Sequence, residues 1–295
     1  MSTTPVVHTI EAPEPVDLYV ELGAGSLAVT AGADPEVRVE LTGSGAEETT
    51  VEERDGRFRV AAPRTSGFLG HHREVHARIT VPAGSRLVLR SGSAPVTVTG
   101  AYAAVSAETG SGALRVEQAG DGALLGAGSG DVTVDAATGR LEIGVGSGDV
   151  RVGSAGGDLL VKSGSGDVGV EHVAGDALVR TGSGDVRVAA SGSSLQVKTG
   201  SGRLHVEHAD GDVTFSSGSG DVRVDHLGSG ALTARTASGA VRCAVPRGTP
   251  VWTDVSTVSG RIASGLERLG APAEGAPYVE VRASTVSGAV ELRHV

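Results

Sequence analysis

A chain with one cysteine, Cys243, can close no internal disulfide and cannot assemble a cysteine-based zinc site by itself. Aromatic residues are nearly as scarce. One Trp, three Tyr and three Phe in 295 residues exclude a core organised around large rings, whereas Val, Leu, Ile and Ala can fill thin stacked strands. Lysine occurs only at Lys162 and Lys198; the other 23 of the 25 cationic residues are arginines, and 35 acidic residues bring the formal charge to -10. That balance argues against general binding to nucleic-acid phosphates, an affinity built on clustered Lys and Arg. Arginine in place of lysine, with abundant Gly, Ala and Val, suggests a GC-rich bacterial genome. Residues 1–15 contain no basic stretch leading into an apolar one and no long hydrophobic run, so the expected location is the cytoplasm, with no signal peptide or membrane span. No Gly-Lys-Ser/Thr phosphate loop occurs either, and the glycine-rich stretches lead into strands rather than helices.

What the chain has is a repeat. A Gly-Ser-Gly turn, with Ala94 as its one early exception, recurs with its serine at Ser93, Ser111, Ser129, Ser147, Ser165, Ser183, Ser201 and Ser219, each step being 18 residues, and Ser238 follows after 19. Three residues after each serine comes Val96, Leu114, Val132, Val150, Val168, Val186, Leu204, Val222 or Val241. Five after the serines from Ser93 to Ser219 comes a valine, from Val98 to Val224. This is the period-two alternation of a strand. A second alternating run lies half a repeat on, at Val105/Ala107, Ala123/Leu125, Leu141/Ile143, Leu159/Val161, Ala177/Val179, Leu195/Val197 and Val213/Phe215.

Two strands per fixed period predict an all-β chain that winds once per repeat and stacks its coils in parallel, with equivalent residues ~4.8 Å apart. The fold class is a parallel β-helix or β-roll solenoid with 18-residue coils. A meander of hairpins would also alternate, but it would not demand the same residue at the same offset in every repeat. Glycines beside the serines are expected to supply positive φ at the turns.

One coil cannot persist alone, so the ends need caps. Residues 1–90, with strands at Val37–Leu41, Phe58–Val60 and Arg78–Val81 between prolines, read as capping strands and early coils, and 91–245 as the regular solenoid. Residues 246–295 read as degenerate terminal coils with a linker near 264–277; there Ser256-Thr257-Val258-Ser259-Gly260 and Ser284-Thr285-Val286-Ser287-Gly288 echo each other.

Val81-Pro82-Ala83-Gly84-Ser85 leading into Arg90-Ser91-Gly92-Ser93, followed by repeated Gly-Ser-Gly-Asp-Val, resembles a bacterial β-strand-repeat family of unknown function labelled as candidate adhesins. The resemblance covers nearly the whole chain. It implies a right-handed parallel β-helix or β-roll without established catalytic residues, in a family whose members often lie beside cell-envelope stress or transcription-control genes.

Four sets of residues invite chemistry. Asp131, Asp149, Asp167, Asp185 and Asp221 share one offset and would stack as a carboxylate ladder, suited to a cation such as calcium. Here, however, aspartate follows glycine directly, unlike the calcium nonapeptide, and Asp149/Arg151, Asp185/Arg187 and Asp221/Arg223 also fit a solvated mixed-charge face. His172, His208 and His226 share a second offset, so that His208 and His226, with His205, Glu207 or Asp225 close by, form a possible metal pair, with solvated corner histidines as the alternative. His71, His72 and His76 cluster in a glycine-flanked loop. The serine ladder lacks the single local base and acid that nucleophilic serine needs, and Trp252, Tyr19, Tyr102 and Tyr278 are too scattered for a sugar platform.

The residues thus favour a non-enzymatic structural or protein-docking scaffold, adhesin-like, without cofactor, small-molecule substrate or catalytic residues. The expected partner is another protein or a second copy of the chain. A self-assembling polymer with pairing ends and a calcium- or metal-binding module remain as alternatives.

Overall fold

The structure is a computed structural model that describes residues 4–63, 73–266 and 278–295. Among these, all regular structure is β-strand apart from one 3-10 turn at Ala46–Glu48. Two compact units, Met1–Val150 and Arg151–Val295, are built on the same plan. In each, the chain winds as a β-solenoid whose coils place one strand in each of two parallel sheets.

The register explains the repeat. In the first unit Leu114 lies between Val96 and Val132, and Leu125 lies between Ala107 and Ile143 on the other sheet. In the second unit the ladders run Val168, Val186, Leu204, Val222, Val241 and Leu159, Ala177, Leu195, Val213, Leu232. Each of these side chains is buried. Partners one repeat apart, paired in parallel, are what a solenoid requires and a hairpin meander cannot supply. Every inward Val or Leu removed from water contributes about 1.5–3 kcal/mol.

The glycines do something other than expected. None of those in the repeated Gly-Ser-Gly turns has positive φ among the described residues; the positive-φ glycines, such as Gly84 and Gly248, lie elsewhere. The turns instead pack backbone on backbone. A Cβ on Gly130 would fall 1.9 Å from the carbonyl oxygen of Gly112, and one on Gly202 would fall 1.9 Å from that of Gly184. Glycine is there because the coil below leaves no room for a side chain.

At both ends the sequential order is broken in the same sense. In the first unit the coil of Asp17–Leu22 and Ala24–Gly32 sits between the coil of Arg86–Ser91 and Val96–Ala101 on one side and that of Arg57–Ala61 and Glu74–Pro82 on the other. In the second unit the last coil, Val279–Thr285 and Val290–His294, is inserted between Gly230–Thr236 with Val241–Val245 and Val251–Thr257 with Ile262–Ser264. The echoed phrases at Ser256 and Ser284 lie side by side, Ser256 opposite Ser284 and Thr257 opposite Thr285. Three antiparallel pairings complete the first unit: Val6–Glu11 on Glu36–Thr42, Glu36–Thr42 on Glu74–Pro82, and Thr50–Arg54 on Arg57–Ala61. The linker expected near 264–277 lies largely outside the described residues.

Candidate functional site

Charged residues recur at the coil corners, and their geometry decides what they can do. The Asp column two residues after the turn serine is occupied by the backbone of the next coil. Asp131 Oδ1 accepts from the Asp149 N–H at 2.9 Å, Asp167 Oδ1 from the Asp185 N–H at 2.8 Å, Asp185 Oδ1 from the Arg203 N–H at 2.8 Å, and Asp221 Oδ1 from the Ala240 N–H at 2.8 Å. Each carboxylate therefore ties one coil to its neighbour. A charge-assisted bond of this kind offsets the repulsion within the column.

The arginines pair farther along the strand than the sequence suggests. Arg187 meets Glu207 rather than Asp185, Arg223 Nε donates to Asp225 Oδ1 at 2.7 Å rather than to Asp221, and Arg115 reaches both oxygens of Asp135 at 2.9 and 2.7 Å. Side chains two apart on a strand share a face, but the Asp carboxylates are turned toward the corner amides.

Two further columns join coil to coil or close the turns. Asp158, Asp176 and Asp212 occupy the opposite corner and accept from the N–H groups of Asp176, Ser194 and Ala231 at 3.1, 3.2 and 2.9 Å. Inside the turn, two residues before the serine, Thr181, Thr199, Ser217 and Thr285 accept from the N–H of the glycine after that serine at 2.8–3.1 Å. Their signal in the sequence is the recurrence of Thr or Ser just before Gly-Ser-Gly. Ala127 and Val145 interrupt this column in the first unit. There the buried Thr109 hydroxyl has no hydrogen-bond partner. The turn serines themselves, from Ser93 to Ser238, are exposed.

The histidine column forms as predicted: His172 is opposite Ala190, Ala190 opposite His208, and the His208 and His226 rings lie 5.3 Å apart. His205 does not join that pair. Its Nε2 donates to Asp225 Oδ2 at 2.7 Å, on the same carboxylate that Arg223 holds. Burial alone would raise the Asp225 pKa, but the hydrogen bonds from His205 and Arg223 and their charges outweigh it and hold the carboxyl below its ordinary value. Among the described residues no three His, Cys, Asp or Glu side chains converge so as to hold a metal ion.

His71 and His72 lie outside the described residues. His76 contacts Ser26, with Oγ and Nδ1 2.9 Å apart, while the Glu74 carboxylate is 4.0 Å from its other nitrogen. A serine–histidine pair is present, but the acid is beyond hydrogen-bond distance and does not orient the ring, and the site is exposed on a sheet face. Cys243 continues the Val224 position of the core, where burial pushes its thiol up to about 12. Its surroundings are those of a core packing residue, in which the thiol form is favoured. Tyr102, buried with its hydroxyl donating to the Thr99 carbonyl at 3.0 Å, is raised by burial and by the nearby Glu117.

Solved structures with similarity to the whole chain share little sequence with it. A candidate cell adhesion protein from Clostridium sporogenes is 13% identical over 99% of this chain and 100% of its own, with a TM-score of 0.22. A candidate lipid binding protein from Parabacteroides distasonis is 12% identical over 98% and 96%, with a TM-score of 0.40. A candidate adhesin from the same organism is 15% identical over 98% and 97%, with a TM-score of 0.32. Curated proteins contain no match. The model of the Toastrack DUF4097 family matches twice, over residues 17–193 and 139–293, so that its two copies together span nearly all of the coils described above. By that match the chain belongs to the Toastrack DUF4097 family.

Proposed function

We propose that the protein is a non-enzymatic scaffold that docks by strand addition at its C-terminal end, the first partner available to such an end being a second copy of the chain. The observation that carries this reading is where apolar surface is left uncovered. Of the nine large apolar side chains exposed among the described residues, six follow residue 250: Trp252, Val258, Ile262, Tyr278, Val286 and Val295. The outermost coil there, Val251–Thr257 with Ile262–Ser264, has no buried residue, and among the described residues its strands are the last of their sheets. Unpaired edges of this kind template another strand. Although the chain carries a charge of -10, this coil holds one acid, Asp254, and one base, Arg261, so that two copies meet there without a large local charge penalty. The reading as non-catalytic is supported by the coil corners, where recurrent carboxylates and hydroxyls are engaged by backbone.

Sedimentation of the purified full chain tests it. Association that strengthens with concentration, survives a chelator and is lost in Ile262→Lys, a charge placed at the open edge, is the expected result. A chain that stays monomeric at about 100 μM, weaker than the micromolar docking expected of a specific interface, overturns it. Dissociation by chelator alone would favour the metal-binding reading.

A further inference from the structure

A second uncovered surface has different chemistry. On the outward face of the first unit, four strands lie side by side, and their register makes two rows: Arg54, Arg57, Asp17 and Arg86, then Glu52, Arg59, Tyr19 and Val88. The intervening Leu18, Phe58 and Leu87 point inward and are buried, so the side chains of both rows stand on the same side. Together they enclose a cleft of about 410 Å³. That volume lies within the roughly 300–1,000 Å³ of small-molecule sites.

The charges in it are unbalanced. Four arginines face two carboxylates, a surplus of two positive charges on a chain whose net charge is -10. Arg54 and Arg57 sit directly opposite each other across an antiparallel pair, where like charges repel. Among the described residues neither has a carboxylate at ion-pair distance. Arg86 approaches Asp17 only to 3.9 Å, and Arg59 lies over the Tyr19 ring, 5.7 Å from its centroid. Between the guanidinium groups the floor is apolar, formed by the Tyr19 ring and by Val88, which is 39% exposed. Paired guanidiniums recognise the oxygens of a phosphate or carboxylate, and an apolar floor takes an organic body.

We propose that this cleft binds a small organic anion: a phosphate or carboxylate head held between Arg54 and Arg57, with Arg86 beyond them drawing off the charge of Asp17, carrying an aromatic or short aliphatic body that lies over Tyr19 and Val88. No motif marks the site in the sequence, because its arginines come from three strands with unrelated neighbours. It is separate from the C-terminal docking edge and does not depend on it.

The test uses naphthyl phosphate as the probe on the full chain, with naphthol and inorganic phosphate as the half-ligands. Calorimetry is expected to show saturable binding of the ester to one site per chain, with each half-ligand weaker by about tenfold or more because it engages only part of the cleft. Arg57→Gln and Val88→Asp each reduce ester affinity by about tenfold or more, whereas Arg180→Gln, the same charge change in the strand Ala177–Thr181, leaves it unchanged. A second readout separates binding from folding: without ligand, Arg57→Gln melts close to the wild type, since it relieves the like-charge pair with Arg54 while losing the attraction of Asp17 on its other side, and the ester raises the melting temperature of the wild type but not of this variant. Binding that is equal in all variants, binding matched by inorganic phosphate or naphthol alone, or no saturation at about 1 mM ester overturns the assignment.

Discussion

The two ends of the chain trap their terminal coils alike and stop unlike. Asp17–Leu22 with Ala24–Gly32 and Val279–Thr285 with Val290–His294 each have a neighbour on both sides, so neither the first nor the last coil is free to fray. Beyond them the resemblance ends. The outer coil of the first unit buries Phe58, Val60, Val75, Ala77, Ile79 and Val81 because antiparallel strands bring Val37, Val39 and Leu41 over it. The outer coil of the second unit buries nothing. The comparison separates two tasks that are usually merged as capping: holding the first or last coil between two neighbours, which strand order accomplishes in both units, and covering the outermost apolar ladder, which among the described residues the first unit does and the second does not.

Placing a carboxylate in each kind of coil gives the largest contrast. Val29 is fully buried in the trapped first coil, and Val29→Asp would bury an unpaired charge between two neighbours, at a cost of about 4 kcal/mol or more. Val255 faces the interior of the second unit from the outermost C-terminal strand but is partly open to water. Val255→Asp is expected to cost less than about 1.5 kcal/mol, since its carboxylate stays hydrated. Thermal melts of both variants check the pair, and equal losses would show that the C-terminal coil is covered after all.

The regular coils could be read from the sequence because each inward position repeats, so Val96 to Val241 and Val105 to Phe215 identify one another. The ends could not, for a physical reason. The insertion of the last coil between two earlier ones leaves each strand with ordinary alternation, and strand order is a property of pairing rather than of pattern. The echo of Ser284 to Gly288 with Ser256 to Gly260 was its visible trace. The Asp ladder was legible as a column but not as a set of backbone acceptors, because the corner N–H groups that engage Asp131 to Asp221 belong to the following coil. The arginine cleft was not legible at all, since only the register of four strands brings Arg54, Arg57, Arg59 and Arg86 to one face.

Glycine sharpens the difference between stacked turns and open faces. In Gly202→Ala the new methyl meets the Gly184 carbonyl at 1.9 Å, and because the obstacle is backbone the coils must separate, costing about 1–3 kcal/mol. A methyl on Gly144, within the strand Leu141–Val145, would meet nothing within 4 Å, so Gly144→Ala is expected to gain about 0.5–1 kcal/mol. Chemical denaturation that found the two alike would refute the stacked-turn account. The corner bonds should matter less. Asp185→Ala abandons the Arg203 N–H and is expected to cost about 1–2 kcal/mol, whereas Asp185→Asn keeps an acceptor there and costs a fraction of that.

The smallest effect concerns Asp225, whose pKa its partners lower. Burial would raise the Asp225 pKa, but His205 and Arg223 lower it below the unfolded value, so its contribution to stability is present above the ordinary carboxylate pKa and is lost as pH falls through the depressed folded value. The groups are partly exposed, with side-chain exposures of 33% for His205, 52% for Arg223 and 30% for Asp225. Solvent and salt therefore screen the pair, and His205→Ala is expected to lower stability at neutral pH and low salt by at most about 1 kcal/mol. The difference between wild type and variant should shrink as the pH is taken down through the range where Asp225 protonates, and shrink again in high salt. A difference that stayed constant down through the range where Asp225 protonates, and that salt did not change, would mean that His205 acts through packing against the neighbouring coil rather than through Asp225. The stability of this corner would then rest on the same contacts as the rest of the ladder.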